Sequence, residues 1–173
     1  MSPTPSAHQQ FLEAYDLYAD AIFRHCALRL GDRELGKDLM QETYLRAWQE
    51  ICRGTTLHNI RAFLYRIANN LIVDVARRSK LRTQESLEGM QEMGFDLPDR
   101  EPGPAAQTDA VIARESLDKV EEPYRTAVIM RFVDGLPPRD IAELLGVSAN
   151  VVSVRIHRGI KQLETLLTNP NAH

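Results

Sequence analysis

Ile141-Ala142-Glu143-Leu144-Leu145-Gly146-Val147-Ser148-Ala149-Asn150-Val151-Val152 reads as two helices meeting at a tight turn. Ala142 is small enough to let the helices approach closely. Gly146 suits the turn, and Ser148 can cap the helix that follows. Pro138 fits the first turn of the leading helix, where its missing N–H costs nothing. Downstream, Val152, Ile156, Gly159, Ile160 and Leu163 fall on one side of a helical wheel. Asn150, Val154, His157, Arg158 and Lys161 fall opposite, flanked by Ser153 and Arg155. An apolar back with amide and guanidinium groups in front is what a DNA-reading helix needs. A basic solvated face on an ordinary helical hairpin has the same composition.

Working outward, helical periodicity dominates and no strand alternation is sustained. A first helix is predicted from about His8 to Leu30, with Phe11, Tyr15, Tyr18, Ile22 and Cys26 recurring every three or four residues. Gly31 ends it and Asp32 caps the next, which runs to about Cys52. Arg53-Gly54-Thr55-Thr56 is a loop, and a third helix spans about Asn59 to Ser79. Between Lys80 and Thr108 the pattern fails at Gly89, Gly94, Pro98, Pro102, Gly103 and Pro104. That stretch reads as a tether with at most a short helical turn. Pattern resumes at about Asp109 and breaks at Pro123, at Gly135-Leu136-Pro137-Pro138 and at Gly146. The last helix covers about Ser148 to Leu167. The expected fold is all-α: helical domains over 8–83 and 109–168, joined by a flexible acidic linker over 84–108.

The net charge of −3 hides a strong asymmetry. Residues 55–83 hold six basic residues against one acidic, and 123–173 hold six against four. Residues 84–122 hold three against eleven. Local field rather than net charge decides whether a surface meets phosphate, so the two basic segments are candidate nucleic-acid faces. No apolar run approaches the roughly 18 residues of a membrane span. The first ten residues lack the pattern of a secretory signal. Cys26 and Cys52 have no metal-ligand spacing and read as small core residues. These features together point to the cytoplasm.

Within the third helix Ile60, Phe63, Leu64, Ile67, Ala68, Leu71, Ile72 and Val75 make a broad apolar stripe. Arg66, Asn69, Asn70, Val73 and Arg77 lie opposite, and Arg77-Arg78-Ser79-Lys80-Leu81-Arg82 follows. Tyr65 falls near the edge, where a ring could stack on an unpaired base. On the second helix Met40, Thr43, Tyr44, Ala47, Trp48 and Ile51 form the expected buried side. Asp38, Gln41, Glu42, Leu45 and Gln49 share another. An aliphatic residue ringed by carboxylates and amides resembles the centre and rim of a protein interface.

Asp38 through Trp48 closely resembles the polymerase-docking helix of bacterial sigma factors. Arg61 through Asp74, followed by Arg77-Arg78, resembles the family's promoter-melting and minus-ten segment. Pro123-Tyr124-Arg125 to Arg131-Phe132, then Gly135-Leu136 through Leu163, is similar to its minus-thirty-five domain. All three blocks stand in the family's order, and the short linker matches the extracytoplasmic-function group. The resemblance implies that Asp38, Gln41, Glu42 and Leu45 dock on core RNA polymerase. It implies that the loop from Arg53 to Asn59 helps hold a flipped base. Arg66, Asn69, Asn70, Arg77 and Arg78 would meet the minus-ten strand. Ser148, Asn150, Ser153, Arg155, Arg158 and Lys161 would meet the minus-thirty-five duplex of promoter DNA. The acidic linker would thread toward the RNA-exit path. Val151, Ser153 and Pro137-Pro138 depart from the usual pattern, in which threonine, lysine and a more polar helix start are common.

The implied protein is a non-catalytic specificity subunit that needs no cofactor or metal. Its further partner would be an anti-sigma factor, drawn to the apolar positions Leu39 and Leu45, and such a factor can hold its target at the inner membrane. A stand-alone helix-turn-helix regulator is the alternative: it would bind duplex DNA without polymerase. A sigma mimic that only sequesters an anti-sigma protein would not need two basic faces. The five histidines form no HExxH or comparable cluster, and no phosphate-binding loop or nucleophile elbow is present.

Overall fold

The computed structural model describes residues 5–85 and 104–169, with side chains over 6–83 and 111–169. The described residues form helices and connecting turns, with no strand among them. They fall into two compact units that divide between Asp96 and Leu97. Most of the predicted linker, 86–103, lies outside the described residues.

The first unit is three helices: α1 (Pro5–Leu30), α2 (Arg33–Cys52) and α3 (Ile60–Glu85). Gly31 takes a left-handed φ of 64° and stops α1. One residue later the Asp32 side chain accepts from Leu35 N at 3.0 Å and starts α2. Both were expected from residue type. Asn59 caps α3 the same way, accepting from Ala62 N at 3.0 Å. The α3 helix runs past the expected end near Ser79, because no glycine or proline follows until Gly89. The core draws on Ile22, Cys26 and Ala27 from α1, Leu39, Tyr44, Ala47 and Ile51 from α2, and Leu64, Ala68 and Ile72 from α3. At Gly36 a Cβ would lie 2.7 Å from the Ala27 backbone, so the absence of a side chain there sets the spacing of α1 and α2. The Tyr44 phenol donates to Ala14 O at 3.1 Å within this core. Burial, with Tyr15 adding to it, pushes the phenol above its ordinary range, so it stays protonated.

The second unit contains α4 (Pro104–Asp118), α5 (Tyr124–Val128), a π-helical turn (Ile129–Val133), α6 (Pro138–Leu145) and α7 (Ala149–Thr168). The α4 helix begins at Pro104, five residues before the expected Asp109, since proline is well suited to a first helical position. The π turn was not expected from the sequence. It closes with Asp134 N donating to Ile129 O at 3.1 Å, and it leaves Phe132 60% exposed. The expected helix-turn-helix is present. Pro138 opens α6, Gly146 turns with φ 66°, and Ser148 Oγ accepts from Val151 N at 3.2 Å. Val152 and Gly159 are buried on the back of α7, with Ile156, Ile160 and Leu163 half-buried beside them. A Cβ at Gly159 would run into Val128 Cγ2 and approach Tyr124 O to 3.2 Å.

Candidate nucleic-acid interface

Three surfaces carry the residues singled out by sequence. On α2, Asp38, Gln41 and Leu45 are exposed and Glu42 is half-buried. Leu45 is 52% exposed, so the apolar centre with its polar rim is present. Glu42 is engaged with Arg46 at 2.7 Å, an exposed pair one helical turn apart. Pairs of this kind contribute about 0.3–0.5 kcal/mol, so a basic partner can displace Arg46 at little cost. Leu39 corrects the expectation. It is only 7% exposed and belongs to the core, because α2 turns that side toward the other helices of its unit. An exposed apolar surface on α2 therefore rests on Leu45, not Leu39.

On α3, Arg66, Asn70, Val73, Arg77 and Arg78 are exposed. Asn69 and Tyr65 are not. Asn69 is 4% exposed, and its side-chain oxygen accepts from Arg29 Nη1 on α1. Tyr65 is 1% exposed and stands edge-on to His25 of α1, with ring centres 5.2 Å apart. Both were expected to face DNA. Because α1 and α2 each pack on α3, its buried arc is wider than the apolar stripe. Asn69 is thus a strut between α1 and α3, and the face open to a strand comes down to Arg66, Asn70, Arg77 and Arg78.

A groove between α2 and α3 links these faces. Glu42, Arg46, Gln49, Phe63, Arg66 and Asn70 line it. Arginines, amides and a phenylalanine lining one groove can take a planar, hydrogen-bonding group such as a base. At its end Glu50 holds the following loop, accepting from Arg53 Nη1 at 2.5 Å and from Thr55 Oγ1 at 3.3 Å. Sequence reasoning passed over Arg46 and Glu50; the only local signal was the Glu42–Arg46 spacing.

At the cap of α7 and along it, Ser148, Asn150, Ser153, Arg158 and Lys161 are exposed and Arg155 is half-buried. Ser148 is occupied as the helix cap, and Ser153 Oγ donates back to Ala149 O at 3.1 Å. Arg158 Nη1 donates to Tyr124 Oη at 3.2 Å, with its guanidinium carbon 5.9 Å from the ring centre. No sequence spacing predicts that contact across 34 positions.

Residues 14–82 match sigma-70 region 2, and residues 111–163 match sigma-70 region 4. The chain belongs to the sigma-70 family. As a sigma factor it sits among relatives of the extracytoplasmic-function group. It is 28% identical over 165 residues to the extracytoplasmic-function RNA polymerase sigma factor SigW of Bacillus subtilis, covering 91% of this chain and 88% of that one. It is 28% identical over 156 residues to SigL of Mycobacterium tuberculosis, covering 88% and 86%. The fold resembles the sigma factor RpoE of Bartonella quintana, solved with the anti-sigma factor NepR. That match has a TM-score of 0.78 at 20% identity, over 92% of this chain and 98% of that one. It also resembles CnrH, solved with the cytosolic domain of CnrY, at a TM-score of 0.66 and 20% identity over 95% and 91%. Among the described residues no helix is long and apolar enough to cross a membrane.

Proposed function

We propose that this sigma factor divides its work between the surfaces just described. Asp38, Gln41, Glu42 and Leu45 dock on core RNA polymerase. Arg66, Asn70, Arg77 and Arg78 follow the minus-ten strand, and the groove between α2 and α3 with the loop after Cys52 receives an unstacked base. Ser148, Asn150, Ser153, Arg155, Arg158 and Lys161 meet the minus-thirty-five duplex. Phosphate contacts supply affinity, base contacts supply selection, and capture of unstacked bases favours the melted state. The domains are residues 8–83 and 109–168, with the linker over 84–108, into which α3 and α4 each extend a few residues. The chain performs no bond chemistry itself, works in the cytoplasm, and is held in check by an anti-sigma factor that covers Leu45.

The observation that carries this reading is the α2–α3 groove. It sets Glu42, from the rim of the exposed Leu45 face, beside a row of cationic and amide side chains, as a protein that bridges a polymerase and an opened strand requires. Site-selective run-off transcription with core polymerase on genomic fragments tests it. Specific transcripts appear only when the chain is added, and their absence on every native template sinks the proposal. Leu45→Arg leaves the fold intact and weakens co-purification with core polymerase by about 30-fold, the effect of losing an interface hot spot. A stand-alone regulator would instead retain tight duplex binding without polymerase and be indifferent to this substitution.

A further inference from the structure

We propose that Tyr124 is a positioning residue for base recognition by Arg158, and so helps set which base pair the helix-turn-helix selects. The inference rests on the reading of α7 as the helix that faces duplex DNA. Two contacts join the residues: the Nη1–H···Oη hydrogen bond at 3.2 Å and the guanidinium lying 5.9 Å from the ring centre. An exposed arginine otherwise samples many rotamers, and freezing them weakens binding. Tyr124 removes part of that freedom before DNA arrives.

The arrangement also leaves the reading edge open. A guanidinium has five N–H donors, and the bond to Tyr124 uses one on Nη1. The edge formed by Nε and Nη2 remains, and such a fork matches O6 and N7 of guanine. The phenol accepts in this bond and so keeps its own proton, which can be donated to a phosphate oxygen. One side chain then ties a backbone contact to a base contact. A carboxylate in its place would cancel the arginine's charge. The acidic residues nearest in sequence are engaged elsewhere. Glu121 accepts from Gln162 Nε2 at 3.4 Å, and Glu122 accepts from Arg125 Nε at 3.1 Å and Thr126 Oγ1 at 2.8 Å.

The backbone fixes the distance. Gly159 follows Arg158, and a Cβ there would come within 3.2 Å of Tyr124 O and 3.4 Å of Tyr124 Cβ. The α5 and α7 helices are thus pressed together beside the residue whose side chain must reach the phenol.

The test uses holoenzyme assembled from the full chain and core polymerase, with a pool of linear duplexes of randomised sequence, sequenced after binding. Arg158→Ala flattens the preference at one base pair by roughly 5- to 150-fold. Tyr124→Phe, which keeps the ring and its packing, flattens the same base pair by about fivefold and spares the others. The double variant is no flatter than Arg158→Ala alone. If Tyr124→Phe keeps the wild-type preference at the base pair that Arg158→Ala flattens, the proposal falls and Arg158 remains a base reader. If Tyr124→Phe weakens all sequences equally, its role is structural and the proposal falls. If Arg158→Ala weakens all sequences equally, Arg158 meets phosphate, and both the proposal and the underlying assignment fall.

Discussion

The helices α3 and α7 carry the same kinds of side chain and treat them differently. Each has an apolar stripe with arginines and asparagines opposite. On α7 the polar residues expected outside are at the surface or half-exposed. On α3 Asn69 and Tyr65 are drawn into the core. The difference is one of neighbours. α3 packs against both α1 and α2, whereas the α7 back is met by the short helices α5 and α6 and by part of α4. A helical wheel reports the direction of the apolar stripe. The width of the buried arc depends on the length and placement of the helices packed around it, not on their number.

The contrast can be broken or sharpened by substitution, the largest effect first. Gly159→Val drives a Cβ and its two methyl groups into Val128 and the α5 backbone. It should cost the second unit about 3 kcal/mol in chemical denaturation while leaving the first unit's transition in place. A variant as stable as the parent would show that α7 can slide off α5. Asn69→Leu leaves Arg29 without that acceptor and should cost the first unit about 2 kcal/mol. Asn70→Leu, one residue on and exposed, should change stability by less than about 0.5 kcal/mol. Equal stabilities for the two would return Asn69 to the strand-facing surface. Ser148→Ala removes the α7 cap and should cost about 1 kcal/mol, with Asp32→Ala costing the first unit a similar amount.

The smallest effect is on pH dependence. Burial raises the Tyr44 phenol above its unfolded value of about 10, so the folded state favours the neutral form. The stability this contributes is fully present below that unfolded value and is lost as pH rises through the raised one. Melting of the first unit should therefore fall with increasing slope above about pH 10, and Tyr44→Phe should flatten that part of the curve. An unchanged alkaline slope would place the origin elsewhere.

Helix ends were the legible part of this molecule. Gly31, Asp32, Pro138, Gly146 and Ser148 act through their own backbone or a donor three residues away, so residue type alone announces them. The helix-turn-helix and the all-α class followed from that grammar. The features that escaped depend on partners distant in sequence. Arg29 meets Asn69 across 40 positions, and Arg158 meets Tyr124 across 34. Leu39 looked available because a wheel drawn for α2 alone cannot say where its flank ends. The π turn at Ile129–Val133 has no local punctuation of its own before Gly135.

From Ala76 to Thr83, α3 is exposed on every side. Those two turns hold Arg77, Arg78, Lys80 and Arg82, like charges that repel one another along a short rod. Their helicity draws on backbone bonds and intrinsic propensity rather than on burial, which makes this the first stretch of α3 to open. A polyanion laid along it relieves the repulsion and stiffens the rod in the same act. Attraction to phosphate there depends on how readily the tip winds as well as on its charge. Ala76→Gly, which alters no charge, should loosen the grip on DNA while amide exchange across the tip accelerates.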